Sequence, residues 1–293
     1  MTAVDLVYNP VSGSFSQAHC DALRDALEGE GFAVTMMPTT AEGAQLSGTA
    51  ELVCVHGGDG TLRDTVQALG EDAGSVALAV APSGTINLVA RELGYARKPA
   101  DFARQVAEGW ARGRENWVEA PLYRLGEMPI VSCLSIGPDS HAVARVSGKL
   151  KKRIGRYAYV VAMVQQMRDW PRSAMTVRGE LASGESFECE AEAVIVSGAA
   201  LYAGPFQLSP EAKLSSDAVE LITLERSTRF GTMLLSLAAM LRLPVDRFAN
   251  AEIRTCRRIE FDRCVTPVQV DGDHMPDCAY AIAPAGLSLR YVV

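Results

Sequence analysis

A short apolar run that ends in clustered glycines is the feature that most constrains the fold of this chain. Residues 52–56 read Leu-Val-Cys-Val-His, Gly57-Gly-Asp-Gly60 follows directly, and a helical pattern covers 61–69. Glycine permits positive φ and a close approach to the backbone, so a tight turn from strand to helix is predicted. The amides of such a turn can hold phosphate oxygens. Glycine clusters also occur in ordinary strand-to-helix turns, so a turn without a bound ligand is the alternative to a phosphate site.

Asp59 stands in the middle of this turn. Its charge repels phosphate, which makes it an unexpected residue in a simple anion site. A divalent cation or a proton transfer would explain the need for a carboxylate there.

Strand and helix patterns alternate over the first 120 or so residues. The predicted strands are Val4–Tyr8, Ala33–Met37, Leu52–His56 and Val76–Ala81, and the predicted helices are Ser16–Gly31, Thr61–Leu69, Thr85–Leu93 and Asp101–Arg112. Runs such as 76–81 lack polar alternation, as expected of strands that are covered on both faces. This order predicts an α/β domain with a parallel sheet, whose ligands bind beyond the carboxyl ends of the strands.

Short strand patterns dominate the chain after about Trp117. The predicted strands are Val118–Leu125, Pro129–Ile136, Ala174–Arg178, Ser186–Glu192, Ala193–Ser197, Val219–Leu224, Ala251–Phe261, Val268–Val270 and Leu287–Val293. Helices are predicted at about 140–169 and 230–242. An antiparallel sandwich or barrel is therefore expected as a second domain. The predicted domains are 1–121 and 122–293, with a sandwich as the preferred form of the second and its last strand returning to the first.

Charge and composition narrow the function classes. The chain has a formal net charge of −7, which argues against nucleic acid as the main partner because phosphate neutralisation needs surplus Lys and Arg. Seven cysteines without a C-x-x-C pair predict reduced thiols in the cytoplasm. The N-terminus lacks a basic segment followed by a long apolar core, so no signal peptide is expected.

The longest apolar stretch, Met233–Leu243, is too short to span a bilayer and contains Ser236 and Arg242. A buried helix is the preferred prediction for it, and a membrane-docking segment is the alternative.

Two more hydrogen-bonding turns follow predicted strands. Asn9-Pro-Val-Ser-Gly13 comes after the first strand, and Pro82-Ser-Gly-Thr-Ile-Asn87 comes after the strand at 76–81. Three such turns are therefore expected at one edge of the sheet. The sequence contains neither the P-loop pattern nor G-x-G-x-x-G, so a P-loop mechanism is excluded and a dinucleotide-binding Rossmann site is disfavoured.

The segments NPVSG, GGDGTLRDTV and PSGTINLVARELG together resemble the diacylglycerol kinase catalytic-domain family. This family includes bacterial lipid kinases, sphingosine kinases and ceramide kinases, and is distantly related to NAD kinases. Three later segments also resemble family motifs, namely 148–159 (a basic helix), 210–217 and 270–273. The resemblance implies a nucleotide-binding α/β domain followed by a β-rich lipid-substrate domain.

The activity that the resemblance implies is ATP- and Mg²⁺-dependent phosphorylation of a lipid hydroxyl, such as that of diacylglycerol or a sphingoid or ceramide lipid. The enzyme is then expected in the cytoplasm, bound peripherally at the inner membrane surface where its substrate lies, with a homodimer as one possible assembly. A kinase of a soluble substrate, as in the NAD kinases, and a catalytically weak lipid- or nucleotide-binding protein are the alternatives.

Site residues carried over from the family fall into three sets. Catalytic roles are implied for Asp59, Asp271 and Asp273. ATP binding is implied for Asn9, Ser12, Gly13, Thr39, Gly57, Gly58, Asp59, Gly60, Thr61, Leu62, Arg63, Gly84, Thr85 and Asn87. A structural Mg²⁺ site is implied at the Asp217 carboxylate and the carbonyls of Leu214 and Val219, since a hard cation prefers oxygen ligands.

The chain departs from the family at several of these positions. Asp273 stands where the family has a glutamate proposed as the proton acceptor, and its reach is shorter by about 1.5 Å. Ala218 replaces the usual glycine after Asp217, which weakens the metal prediction. Arg63 replaces a common asparagine and is expected to pair with a phosphate or with a nearby carboxylate. These changes indicate a divergent subfamily.

One dense basic cluster lies in the second half of the chain. Its members are Lys149, Lys151, Lys152, Arg153 and Arg156. Most of them share one helical face, which fits either attraction to an anionic bilayer or a solvated helix surface.

Overall fold

The computed structural model describes residues 1–84, 86–145, 165–166, 170, 172–265, 267–275 and 279–293. The chain divides into two compact units. The N-terminal unit comprises residues 1–122 and 286–293, and the C-terminal unit comprises residues 123–285. Thr85 and the basic cluster at 149–156 lie outside the described residues.

The N-terminal unit is a parallel α/β sheet, as predicted. Its strands are β1 (Ala3–Tyr8), β2 (Ala33–Pro38), β3 (Leu52–Gly57) and β4 (Ala77–Pro82), and its helices are α1 (Gln17–Gly29), α2 (Asp59–Leu69), α3 (Leu88–Glu92) and α4 (Pro99–Ala111). The strands pair in the order β2-β1-β3-β4, all parallel. Strand β3 is buried along its whole length, which explains why its sequence shows no polar alternation.

The first helix illustrates how local signals fix an element. The Ser16 hydroxyl caps α1 by accepting from the amide of His19 at 3.3 Å. The buried residues Cys20, Leu23 and Leu27 are spaced three and four apart, so one face of the helix packs inward. Gly31, with φ of 90°, follows the end of the helix.

The C-terminal unit is built from antiparallel strands. Its strands are β5 (Val118–Leu125, which begins in the N-terminal unit), β6 (Met128–Ile130), β7 (Cys133–Ile136), β8 (Met175–Leu181), β9 (Ser186–Ala191), β10 (Ala193–Ser197), β11 (Val219–Leu224), β12 (Glu252–Val265), β13 (Val268–Val270), β14 (Asp273–Met275) and β15 (Ala279–Tyr291). The helices that the structure describes in this part are α5 (Pro138–Arg145), α6 (Arg229–Met240) and α7 (Val245–Phe248). The strand order is β14-β13-β7-β10-β11-β12-β15, and β8 pairs with both β12 and β9.

Buried apolar side chains from every strand between β5 and β15 form one hydrophobic core in this unit. Leu134, Val196 and Val270 lie in that core, while the neighbouring residues Ser135 and Gln269 alternate to the other face. The final residues of β15 leave this core, and Arg290 and Tyr291 pair in parallel with β4.

Two predicted elements differ from the structure. The predicted strand Pro129–Ile136 is two strands, because the amides of Val131 and Ser132 donate to the carboxylate of Asp271 instead of to a neighbouring strand. The predicted helix Thr85–Leu93 corresponds to α3, which covers Leu88–Glu92. Asn87 precedes it in the left-handed conformation, with φ of 55°, so the helical backbone begins after that residue.

The apolar stretch Met233–Leu243 lies mostly within α6, and the prediction that it is buried is wrong for one face of the helix. Met233 and Leu237 are exposed, whereas Leu235 and Ala239 are buried. Among the described helices, none is both long enough and apolar enough to cross a membrane.

Candidate functional site

The predicted turns lie side by side at the carboxyl edge of the N-terminal sheet. Strands β2, β1, β3 and β4 are consecutive neighbours and all parallel, so their carboxyl ends share one edge. Thr39 follows β2, residues 9–13 follow β1, the glycine turn 57–60 follows β3, and residues 82–87 follow β4. The convergence that was inferred from sequence spacing is therefore the direct result of strand order.

The glycine turn and the loop after β4 pack backbone against backbone. A Cβ added at Gly84 would lie 2.5 Å from Asn87 Oδ1 and 2.7 Å from the Cα of Gly58, and a Cβ added at Gly57 would lie 2.5 Å from the Cβ of Thr61. The amide of Ser83 also donates to the carbonyl of Gly57 at 3.3 Å. Gly57 and Gly84 are thus required by the packing of the turns themselves, whatever ligand binds above them.

Asp59 joins the same two segments through its side chain. Its Oδ2 accepts from the amide of Leu88 at 2.9 Å, and its Oδ1 accepts from the amide of Val89 at 3.0 Å. These are the first amides of α3, and Asn87, in the left-handed conformation, gives them no side-chain cap. The buried carboxylate of Asp59 therefore caps α3 from a distance of 29 residues along the chain, which explains the acid inside the glycine turn.

Gly84→Ala is expected to lower the free energy of unfolding by about 2 kcal/mol, because the added methyl group would overlap main-chain atoms of Gly58. Gly58→Ala is the matched control, since its Cβ would make only ordinary contacts at 3.6 Å. Urea unfolding of both variants measures the difference. Equal stabilities of the two variants would show that the loops are not packed as described.

The start of α2 offers main-chain donors at the same edge. The amide of Leu62 donates to the carbonyl of Gly58 at 3.1 Å, so this stretch of backbone carries the first amides of α2. Amides of this kind bind phosphate oxygens. Leu62 itself is fully buried and its amide is used within the helix, so the structure gives it a core role.

Arg63 follows the glycine turn on α2 and is largely buried. Its Nη2 lies 3.0 Å from Oδ1 of Asp64. The predicted ion pair with a nearby carboxylate is therefore present, and pairing with a phosphate stays a prediction.

The loop after β1 is held by local hydrogen bonds. Asn9 Oδ1 accepts from the amide of Val11 at 3.0 Å, and the hydroxyls of Ser12 and Ser14 lie 3.2 Å apart. Gly13 is exposed. The amide of Thr39 donates to the carbonyl of Tyr8 at 2.8 Å, which places the start of the loop after β2 beside the loop after β1.

A pair of histidines lies beside the glycine turn, and no sequence pattern predicts its second member. His56 immediately precedes the turn, and its Nε2 lies 2.9 Å from Nδ1 of His19 on α1. His19 Nε2 lies 3.3 Å from the carbonyl of Arg97, and because a carbonyl only accepts, this nitrogen carries the hydrogen. His19 Nδ1 is then an acceptor in the neutral ring, and His56 Nε2 is the donor. The rings of Phe15 and His56 pack edge to face at 6.2 Å.

Burial, together with the neighbouring His19, lowers the pKa of His56 to about 4. The folded state therefore binds fewer protons than the unfolded state between pH 4 and the ordinary histidine pKa of about 6.5. Stability contributed by neutral His56 is present above about pH 6.5 and is lost as the pH falls toward 4, amounting to about 3 kcal/mol.

His56→Gln is expected to remove this part of the pH dependence, because glutamine does not titrate and its amide can still donate to His19. Unfolding free energies measured from pH 7.5 to 4.5 should fall more steeply for the wild type than for the variant. Parallel profiles would contradict the assignment of a neutral, buried His56.

Asp271 is held in the interior of the C-terminal unit. With Gly272 it forms the two-residue turn between β13 and β14, with φ of 50° and 86° respectively. Its Oδ2 accepts from the amide of Val131 at 3.1 Å. Its Oδ1 accepts from the amide and hydroxyl of Ser132 and from the amide of Cys133, at 2.7–3.1 Å. These four hydrogen bonds give the Asp271 carboxylate a structural role, and its implied catalytic role stays a prediction.

Asp273 is the first residue of β14 and is partly exposed. It pairs with Val270 across the hairpin, whereas His274 pairs with Gln269 on the opposite face of the strand. Of the two acids in this turn, Asp273 is the one whose side chain reaches solvent. The acids predicted for catalysis belong to different units, Asp59 to the N-terminal unit and Asp273 to the C-terminal unit.

A polar network beside β7 and α5 was not predicted from the sequence. Asp139 Oδ2 accepts from Ser135 Oγ at 2.6 Å and from the hydroxyl of Tyr202. Burial, and then the charge of Asp139, raises the pKa of Tyr202 well above its ordinary value. Gln269 lies on the same face as Ser135, and its Oε1 is buried without a hydrogen-bond partner in the described part of the chain. The only available sequence signal was the four-residue spacing of Ser135 and Asp139 across a strand–helix junction.

The residues proposed for a structural Mg²⁺ site lie just before and within the start of β11. Leu214 and Val219 are buried, and the side chain of Asp217 is exposed. The carbonyl of Asp217 accepts from the hydroxyl of Tyr123 at 2.9 Å. Nowhere in the described ranges do three or more His, Cys, Asp or Glu side chains cluster as metal ligands. A cation at this position would rely on one carboxylate and main-chain carbonyls.

Known proteins resemble this chain in sequence and in fold. Residues 3–115, which include the glycine turn and the loop after β4, match the family model described as Diacylglycerol kinase catalytic domain. This match covers the N-terminal part of the chain and agrees with the resemblance noted in the sequence motifs. A protein named Diacylglycerol kinase from Staphylococcus saprophyticus is 26% identical over 234 residues, which cover 76% of this chain and 72% of that protein. A protein of the same name from Bacillus subtilis is 24% identical over 236 residues, with 78% and 75% covered.

A solved structure of this family shares the fold. The crystal structure of a diacylglycerol kinase from Bacillus anthracis str. Sterne matches with a TM-score of 0.70 at 19% sequence identity, covering 99% of this chain and 96% of that chain. The fold class predicted from the sequence is thereby confirmed.

Proposed function

We propose that this protein is a lipid kinase that transfers the γ-phosphoryl group of ATP to the hydroxyl of a lipid such as diacylglycerol or a sphingoid or ceramide lipid. The observation that carries this proposal is the linkage of the glycine turn to the loop after β4 by Asp59, inside the segment that matches the catalytic-domain family. The names of the curated relatives support a kinase that acts on a lipid.

The triphosphate of ATP is proposed to bind at the carboxyl edge of the N-terminal sheet. The first amides of α2 lie there, and the loops after β1 and β4 lie on either side. The role of Asp59 in this proposal is to hold the loop after β4 against the glycine turn, so that donors from both segments keep a fixed separation. Phosphoryl transfer is catalysed mainly by positioning and by charge stabilisation, and both need hydrogen-bond donors at fixed positions.

Magnesium is proposed to enter with ATP. Both oxygens of Asp59 already accept amides, so the cation would be held mainly by phosphate oxygens and water, as is usual for Mg²⁺. The second proposed cation, at Asp217 with the carbonyls of Leu214 and Val219, would stabilise the loop before β11 and take no part in the chemistry.

Asp273 is proposed as the general base. A carboxylate that reaches solvent can accept the proton of the lipid hydroxyl as that oxygen bonds to the γ-phosphorus and the bond to the β-phosphate oxygen breaks. Asp271 supports Asp273 by fixing the hairpin turn that carries it.

Incubation of the protein with γ-labelled ATP, Mg²⁺ and a total lipid extract tests this function, with mass identification of any labelled lipid. A single labelled phospholipid is expected, and its identity names the substrate. Binding of MgATP with no transfer to any lipid would contradict the proposal. In a parallel reaction with NAD in place of lipid, transfer of label to NAD would replace it with a soluble-substrate kinase.

A further inference from the structure

Helix α6 in the C-terminal unit has a solvent-facing side that is apolar. It exposes its large apolar side chains, with Phe230 at 69%, Met233 at 53%, Leu237 at 46% and Met240 at 50% of full accessibility. The side chains it buries are mostly small, including Ala238 and Ala239. A surface helix normally turns its large apolar residues inward.

The exposed residues form one continuous stripe. Their spacing of three and four residues places them on the same side of a helix that turns by about 100° per residue. Leu241 and Leu243, just beyond the helix, are also exposed and extend the apolar surface. The apolar stripe is defined here as Phe230, Met233, Leu237, Met240, Leu241 and Leu243.

Hydrogen bonds fix the helix in this orientation. The Thr228 hydroxyl caps its first turn by accepting from the amide of Gly231 at 3.0 Å. The carbonyl of Ala239 accepts from the amide of Gln207 at 3.0 Å, and the amide of Leu243 donates to the carbonyl of Ala238 at 2.8 Å. Leu235 is buried on the inner face of the helix. The stripe is therefore exposed on a helix that is packed against the rest of its unit.

Basic residues surround the apolar stripe in a chain whose net charge is −7. Residues 225–247 contain four arginines (Arg226, Arg229, Arg242 and Arg247) against two acids (Glu225 and Asp246). All four arginines are exposed, two before or at the first turn of the helix and two after its end. Apolar side chains bordered by arginine complement a surface that is apolar inside and anionic outside.

We propose that the apolar stripe of α6 is the surface by which this protein docks on an anionic lipid bilayer. The helix lies in the plane of the interface, with the stripe among the acyl chains and the arginines at the level of the phosphate headgroups. This inference rests on the proposed lipid-kinase function for its biological meaning, because a kinase of membrane lipids must reach a bilayer. The docking itself requires neither ATP nor catalysis.

The test measures sedimentation of the purified protein with phosphatidylcholine vesicles that contain 0 to about 40% phosphatidylglycerol, without ATP. Met233→Ser/Leu237→Ser tests the stripe, and Arg226→Gln/Arg229→Gln tests the charge. Tyr280→Ser, which alters an exposed apolar residue elsewhere, and Arg104→Gln, which alters an exposed arginine of α4, are the matched controls. Thermal unfolding checks that every variant is folded.

The wild type and both controls are expected to bind the anionic vesicles. The stripe variant should bind at least about tenfold more weakly, since two large apolar side chains no longer enter the acyl region. The arginine variant should depend less steeply on phosphatidylglycerol than the wild type, since two of the four arginines remain. Unchanged vesicle binding by a folded stripe variant would overturn the proposal. A wild-type dimer that the stripe substitutions dissociate, with vesicle binding intact, would overturn it in favour of a second copy of this chain.

Activity assays separate this inference from the proposed function. The stripe variant should keep wild-type activity on a short-chain diacylglycerol dissolved as monomers and lose activity only on lipid in vesicles. Absence of kinase activity in the wild type on every lipid would refute the proposed function, whereas vesicle binding would still decide the role of the stripe.

Discussion

Asp59→Asn is expected to lower the free energy of unfolding by about 3 kcal/mol and to weaken ATP binding by at least about tenfold. The carboxylate accepts from the amides of Leu88 and Val89. An asparagine side chain has one acceptor oxygen, so its own NH₂ group would face the second amide donor. The loss of a charge-assisted hydrogen bond contributes about 1.5–3 kcal/mol. Loss of the negative charge at the start of α2 adds a smaller term.

Asp101→Asn is the matched control for this change. Asp101 also lies in the first turn of a helix, but its side chain is exposed and pairs with Arg104 at the surface. An exposed ion pair contributes little, so a change of less than about 0.5 kcal/mol is expected. Urea unfolding and titration with a fluorescent ATP analogue measure both effects. If Asp59→Asn is as stable as the control, its capping of α3 is refuted; if it is destabilised but binds ATP normally, the capped loop has no part in nucleotide binding.

Asp273→Asn and Asp271→Asn are expected to fail in different ways. Asp273→Asn should change stability less than Asp271→Asn does and lower kcat by about 10²–10⁴-fold, the usual contribution of a positioned base. Asp271→Asn should lower the free energy of unfolding by about 3 kcal/mol or more, because three amides and one hydroxyl donate to its buried carboxylate.

A second substitution makes the base assignment sharper. Asp273→Glu restores the residue type of the family and lengthens the side chain by about 1.5 Å, so it should retain a large part of the activity. Steady-state kinetics with lipid in mixed micelles, beside urea unfolding, separate the two acids. Normal turnover by Asp273→Asn would require that its role as base be abandoned.

Most of the fold could be predicted because the helices and strands are set by residues close together in the sequence. Continuous apolar runs such as β3 predict strands that are covered on both faces, and the strand–helix alternation then predicts parallel pairing. The Ser16 cap and the Gly31 terminator of α1 are likewise local. The positions of the three turns followed from the strand order alone.

Contacts between distant residues account for what was missed. Asp271 interrupts the strand predicted over 129–136 from a position about 140 residues away, and no property of that stretch reveals this. The sequence predicts that Asp59 lies near phosphate and magnesium, whereas in the structure its carboxylate accepts hydrogen bonds from the first amides of α3. Helix α6 carries apolar residues around most of its surface, so sequence alone did not tell which face is covered.

Transfer of labelled phosphate from γ-labelled ATP to diacylglycerol in mixed micelles, with the wild type beside Asp273→Asn and in the presence of Mg²⁺, tests the lipid-kinase proposal most directly. Label is expected in the lipid phase for the wild type, with a loss of about 10²-fold or more for the folded variant. No labelled lipid despite bound MgATP would contradict the proposal.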